Sequence, residues 1–197
     1  IRENLLKNVG KKFIDIAKKA DGFLAAEDYK TAVQYYNTAL KYNPADKYVK
    51  TNKGIALFKA GNFKEAIDLF LSLIKEDSFF APAIFNLADI YYSLEKYNDA
   101  IIYYEKAVEV DPDDIRSMIN LGSVYVKSNS YNKGVDIFQK VIAKMPNSPD
   151  AYYNLGIIYA DYLFDKSKAV YYFNKYLEFD SDSKSADEVR EWLKMLE

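Results

Sequence analysis

Ala32, Ala66, Ala100 and Gly134 stand thirty-four residues apart, and Ala169 continues the series one residue late. A chain that repeats at such a step is an array of one unit, and each unit has to be stabilised by its neighbours rather than by a central core. Other columns keep the same step. A small residue recurs at Ala20, Gly54, Ala88, Gly122 and Gly156, and a ring or Leu follows it at Phe23, Leu57, Tyr91, Tyr125 and Tyr159. A second aromatic column runs Tyr36, Phe70, Tyr104, Phe138, Phe173, and units end near Pro44, Pro112 and Pro146. Within the third unit, Ile84, Leu87, Ala88 and Tyr91 are spaced by three and four, Lys96-Tyr97-Asn98 is the expected turn, and Ala100, Ile101, Tyr104, Ala107 and Val108 form the facing stripe. Each unit therefore reads as two antiparallel helices that cross at the small residue.

At these residues the chain resembles the tetratricopeptide repeat family, from about Phe13 to Ser181. The resemblance implies an all-α, right-handed superhelical solenoid of five helix-turn-helix repeats at about 13–46, 47–80, 81–114, 115–148 and 149–181. Residues 1–12 are expected to be a remnant N-terminal helix, with an apolar stripe at Ile1, Leu5, Leu6 and Val9 that stops before Gly10. Residues 182–197 are expected to form a capping helix: Val189, Trp192, Leu193 and Leu196 share one face, and Ser185 followed by Glu188 predicts a capping box at its start. The runs Lys53–Gly61 and Leu121–Lys127, together with Gly134 where Ala is usual, resemble more narrowly the self-assembling scaffold members of the family that coat the magnetosome membrane of bacteria. The chain begins with Ile1 and not Met, so an upstream segment is expected, which that narrower resemblance would make the assembly element.

Composition narrows the chemistry. Among 197 residues there is no Cys and no His, which removes thiolate and imidazole metal sites, Cys or Ser-His nucleophiles and the commonest general base. No Gly-rich phosphate loop is present, because most of the seven Gly occupy repeat columns. Asp180, Asp182, Lys184, Glu188 and Glu191 copy the spacing of a calcium loop but place a cation among the ligands and Ser185 where the turn needs Gly. The expectation is a non-catalytic chain with no catalytic residue, metal or cofactor. No apolar run approaches the ~20 residues that span a bilayer.

Function then rests on residues that the fold does not need. Two positions before the small residue stand Lys18, Asn52, Asn86, Asn120 and Asn154. In the family this position faces the concave groove, so the resemblance implies that the four Asn form a ladder which hydrogen-bonds the backbone of an extended partner segment. An amide offers both a donor and an acceptor, and can hold a peptide group without reading its sequence. Phe58, Phe85, Tyr92, Ile119 and Tyr153, one residue before or six after ladder positions, are expected to be exposed apolar anchors of the same groove, while the amides point to solvent. The alternative is that Asn is simply the family's usual residue here.

Some family members clamp the acidic terminus of chaperones with Lys, Asn and Arg. Here Ala17, Asp21, Pro82 and Asn86 replace clamp residues and only Asn52 fits, which argues against that partner. Residues 1–60 hold 12 basic and 6 acidic side chains, a balance of +6; the remaining 15 and 23 give −8, and the two sum to −2. That polarity suits head-to-tail self-association or an anionic surface, although a solvated helix face accounts for it as well. Nucleic acid is not expected as a partner, because the net charge is negative. The expected setting is cytoplasmic, with peripheral attachment to an organelle membrane following from the narrower resemblance; a Cys-free chain suits the periplasm equally. Two functions remain open: a protein-binding scaffold, or a recruiting module of a larger enzyme or assembly complex.

Overall fold

The computed structural model describes residues 2–196, with side-chain surroundings from residue 9 onward. The helices are α1 (Arg2–Ala25), α2 (Tyr29–Leu40), α3 (Lys47–Lys59), α4 (Phe63–Glu76), α5 (Ala81–Ser93), α6 (Tyr97–Val110), α7 (Ile115–Lys127), α8 (Tyr131–Lys144), α9 (Pro149–Ile157), α10 (Lys166–Phe179) and α11 (Lys184–Leu196), with a π-helical segment Ile158–Tyr162 extending α9. No strand occurs among the described residues. The architecture is the all-α helix-hairpin array that the period predicts. By contacts the chain divides into two compact units, residues 1–90 and 91–197, with the division inside α5.

In the first unit α1 packs on α2, α2 on α3 and α3 on α4. Ala20, Ala32, Tyr36, Ala39, Val49 and Ala56 are its buried centre, flanked by Phe13, Ile16 and Phe23. α1 is a single helix of 24 residues that runs through Gly10. The expected separation of residues 1–12 from the first repeat is therefore corrected: a lone Gly costs a helix only about 1 kcal/mol, too little to end it. Val9 is exposed, whereas the expected stripe partners Ile1, Leu5 and Leu6 have side chains outside the described residues.

In the second unit α6 packs on α7, α7 on α8, α8 on α9, α9 on α10 and α10 on α11. Phe138, Leu155, Ile158, Phe173 and Val189 lie at 0% exposure in one continuous cluster. Ala186 and Val189 of α11 are fully buried against it, and Trp192 stacks on Phe173 with ring centroids 6.2 Å apart. The cap of α11 is not Ser185. Ser183 Oγ accepts from the Ala186 N–H at 3.2 Å, and the Asp180 carboxylate accepts from the Ser183 N–H at 3.2 Å and the Tyr176 hydroxyl at 2.7 Å. The helix begins two residues earlier than the capping-box pattern suggests because Ser183 is the hydroxyl within reach of an unpaired N–H.

The columns now acquire mechanical meaning. A Cβ built on Gly54 would lie 2.5 Å from the Phe70 ring, on Gly122 2.7 Å from Phe138, and on Gly156 2.4 Å from Phe173. In these hairpins the second-helix ring occupies the space that a Cβ on the first helix would need, and only Gly leaves it open. Phe23 against Tyr35, Tyr91 against Tyr103 and Tyr159 against Tyr172, with centroids 5.0, 5.6 and 5.6 Å apart, fill the space beside the crossing.

Each hairpin turns through one residue of positive φ: Glu27, Gly61, Glu95, Asn129 and Phe164. The next N–H reaches back to the ring-column carbonyl, as from Lys96 to Tyr91 and from Ser130 to Tyr125. This is the Schellman closure, which satisfies carbonyls that the helix end leaves open. The turn of the third repeat is therefore Leu94-Glu95-Lys96, and Tyr97 and Asn98 already belong to α6. In the fifth repeat one extra residue is taken up as a π turn, in which the Leu163 N–H bonds the Ile158 carbonyl and the Asp165 N–H bonds that of Tyr159.

Gly122→Ala should destabilise the chain by about 1–3 kcal/mol, the usual cost of overpacking against a ring that cannot move aside. Urea unfolding that leaves the midpoint unchanged would show that Phe138 can shift.

Hydrogen bonds from Tyr176 and Ser183 hold the Asp180 carboxyl below its ordinary value of 3.8. A depressed carboxyl contributes stability above its unfolded pKa and loses it as pH falls through the lower folded value. Wild-type chain should therefore lose more thermal stability between about pH 4 and pH 2 than Asp180→Asn does. Parallel melting curves for the two across that range would contradict this role for Asp180.

Candidate ligand-binding face

Each ladder Asn lies on a first helix, two residues before the crossing, and is half-buried. Their amides are not aimed unpartnered into solvent, which corrects the sequence expectation. Asn52 Nδ2 donates to Asp21 Oδ1 at 3.1 Å, and Asn86 Nδ2 donates to the Pro82 carbonyl at 2.7 Å. In the second unit Asn120 Nδ2 donates to the Tyr104 hydroxyl at 3.3 Å, and Asn154 Nδ2 to the Asp150 carbonyl at 2.8 Å. An amide with one N–H engaged inside the protein is held in orientation and retains its carbonyl oxygen as an acceptor.

The expected apolar anchors are also more enclosed than the sequence suggested. Phe85 is buried at 8% exposure. Phe58 is half-buried beside Phe63 at 5.8 Å, and Tyr92 is half-buried beside Tyr97 at 6.0 Å. Ile119 and Tyr153 pack against the core of the second unit, and Tyr153 lies 5.6 Å from the Tyr176 ring with its hydroxyl bonded to Glu188 at 3.4 Å. Burial first, and Glu188 second, push the Tyr153 hydroxyl above its ordinary pKa. The reason is helical geometry. Neighbouring residues on a helix differ by about 100°, so a position beside the ladder turns its side chain toward the adjoining helix rather than into solvent. The most exposed large apolar side chains lie elsewhere, at Tyr48, Phe79, Phe164 and Met195.

One group on this face was not singled out as a binding feature in the sequence. Asp21 Oδ1 accepts from both Asn52 and the buried Tyr36 hydroxyl, the latter at 2.7 Å. Burial, then the Asp21 hydrogen bond and charge, raise the Tyr36 pKa well beyond its ordinary range, so this hydroxyl stays a donor. An anionic carboxylate therefore occupies a position where the chaperone clamp has Asn. The signal that could have found it was the pairing of Asp21 with a Tyr rather than a Phe in the second aromatic column.

A repeat fold of paired helices with the crossing residues, turn chemistry and ladder described here defines a class of protein-interaction arrays. The chain belongs to the tetratricopeptide repeat family. The family model described as the N-terminal TPR repeats region of Psidin matches residues 22–153, and the tetratricopeptide repeat model matches residues 150–183. The small glutamine-rich tetratricopeptide repeat-containing protein 2 of Mycosarcoma maydis is 34% identical over 104 residues, which cover 50% of this chain and 30% of that protein. Serine/threonine-protein phosphatase 5 of Rattus norvegicus is 24% identical over 100 residues, 51% of this chain and 20% of the enzyme. The chain thus spans less than a third of the length of either relative. Among solved structures, MamA of Desulfovibrio magneticus RS-1, residue 41 to the end, superposes with a TM-score of 0.77 at 21% identity, covering 89% of this chain and 97% of that one. That likeness is one of fold.

Proposed function

We propose that the chain is a non-catalytic interaction scaffold which holds extended partner segments at the first-helix amides of each unit, Asn52 and Asn86 in the first and Asn120 and Asn154 in the second. The observation that carries this reading is the recurrence of one oriented, half-exposed amide on the first helix of four successive hairpins. Phe58, Tyr92, Ile119 and Tyr153 border the ladder as half-buried walls, and Phe85 lies beneath it. Net hydrogen bonds of about 0.5–1.5 kcal/mol each make affinity a property of the row and not of one residue. The partner is a protein or peptide.

Replacing all four Asn with Ala should therefore weaken a bound peptide at least about tenfold. The probe is a peptide selected from a random phage-displayed library on the wild-type chain, with affinity read by calorimetry and folding by circular dichroism. Undiminished affinity in a folded quadruple variant would place the binding surface elsewhere.

A second reading is favoured by the short span of the curated relatives that the chain covers: it would be the partner-recruiting module of a longer enzyme or assembly complex. A finer form of the scaffold reading is self-assembly, as in a magnetosome scaffold of the MamA kind, with the protein peripheral to an organelle membrane. The contrast between a basic first segment and an acidic remainder supports head-to-tail contact. Light scattering should then show a mass that rises with concentration and falls as salt screens the contact. A strictly monomeric chain at low salt would leave the simple adaptor.

A further inference from the structure

The four ladder amides are of two kinds, and a residue sixteen positions earlier decides which. Tyr36 and Tyr104 precede Asn52 and Asn120 by that step, while Phe70 and Phe138 precede Asn86 and Asn154. Asn52 shares Asp21 with the Tyr36 hydroxyl, and Asn120 donates to the Tyr104 hydroxyl. Asn86 and Asn154, with Phe sixteen residues earlier, donate instead to carbonyls of their own helices, four residues back at Pro82 and Asp150. The neighbouring positions follow: Ala20-Asp21 and Ala88-Asp89 occur with Tyr, whereas Gly54-Ile55 and Gly122-Ser123 occur with Phe. Over the first four repeats these positions alternate, and the fifth, with Gly156-Ile157 and Phe173, keeps the Phe type.

The cause is the reach of the phenol. A hydroxyl on the second-helix ring extends to the next first helix and captures the amide there; a Phe ring has no oxygen, and the amide turns to the nearest acceptor. For Asn52 that capture includes a charged carboxylate, and bonds to ionised groups are about twice as strong as neutral ones. The other two amides bond a backbone carbonyl that the helix already uses, an arrangement that side chains form and give up locally.

We propose that the ladder is divided: Asn86 in the first unit and Asn154 in the second hold the partner's backbone, while Asn52 and Asn120 are positioning residues that join each second helix to the following first helix. The division rests on the reading of this face as the partner surface. A peptide group needs one donor and one acceptor. Asn86 and Asn154 supply both, through Oδ1 and an Nδ2 whose partner is a carbonyl of their own helix, whereas Asn52 has an N–H committed to the Asp21 carboxylate and Asn120 one committed to the Tyr104 hydroxyl, each tying two helices together. The fitting partner at each unit is an extended segment with unpaired backbone groups and no required side chain opposite the Asn.

Two arms test this. Without ligand, Tyr104→Phe should shift the Asn120 side-chain amide resonances and speed their exchange with water, leaving those of Asn154 in place; Tyr36→Phe should do the same to Asn52. Unmoved Asn120 and Asn52 resonances in folded variants would overturn the division. With the phage-selected peptide as probe, Asn86→Ala combined with Asn154→Ala should cost about tenfold or more in affinity at nearly constant melting temperature. Asn52→Ala combined with Asn120→Ala should cost less than about threefold in affinity while lowering the melting temperature. Equal losses for the two pairs, or a larger loss for the second, would overturn it. A library that returns no binder counts against the partner-surface reading, and the resonance arm still decides the division.

Discussion

The contact between a second-helix ring and the backbone of the first helix sets everything else in this chain. Where Phe70, Phe138 and Phe173 meet Gly54, Gly122 and Gly156, a Cβ would lie under 3 Å from the ring, so the close approach of the two helices depends on the absence of that one atom. Where the ring is Tyr36 or Tyr104 instead, with Ala20 or Ala88 in the small-residue column, its hydroxyl reaches the ladder, directly at Asn120 and through Asp21 at Asn52. Packing and recognition in this array are consequently one problem: the atom that distinguishes Tyr from Phe is silent in the core and audible on the face.

The parts of the fold that were legible in the sequence are those where one residue type meets one physical need. Small residues at the crossings, rings beside them and the apolar face of Val189, Trp192, Leu193 and Leu196 each have a chemistry that repeats. The turn column had none, since Glu27, Gly61, Glu95, Asn129 and Phe164 share only a backbone state. Gly10 read as a boundary because Gly often ends helices, yet α1 passes through it. The Ser185 cap failed by competition: Ser183 stood nearer the open N–H.

The candidate face was half legible. The positions of the four Asn followed from the period, but the direction of each amide depends on a residue sixteen back, on another helix, which no local pattern displays. The enclosure of Phe85 likewise depends on the neighbouring helix. Asp21 illustrates the opposite lesson. In the sequence it is only a departure from the clamp of chaperone-binding relatives, whereas in the fold Tyr36 and Asn52 converge on one of its oxygens.

The π turn at Ile158–Tyr162 carries a consequence for how such an array can change. A residue added inside an α-helix rotates everything after it by about 100°, which here would swing the ring column off the crossing. Taken up as one wide turn at the end of α9, the same addition leaves Ala169 and Phe173 fully buried and Phe173 still seated on Gly156. The hairpin end is thus a place where the count of residues and the phase of the helices are independent. Length can drift there by single residues while the register of every later repeat survives, which makes the turn, with Phe164 carried outward on it, the part of the repeat freest to diverge.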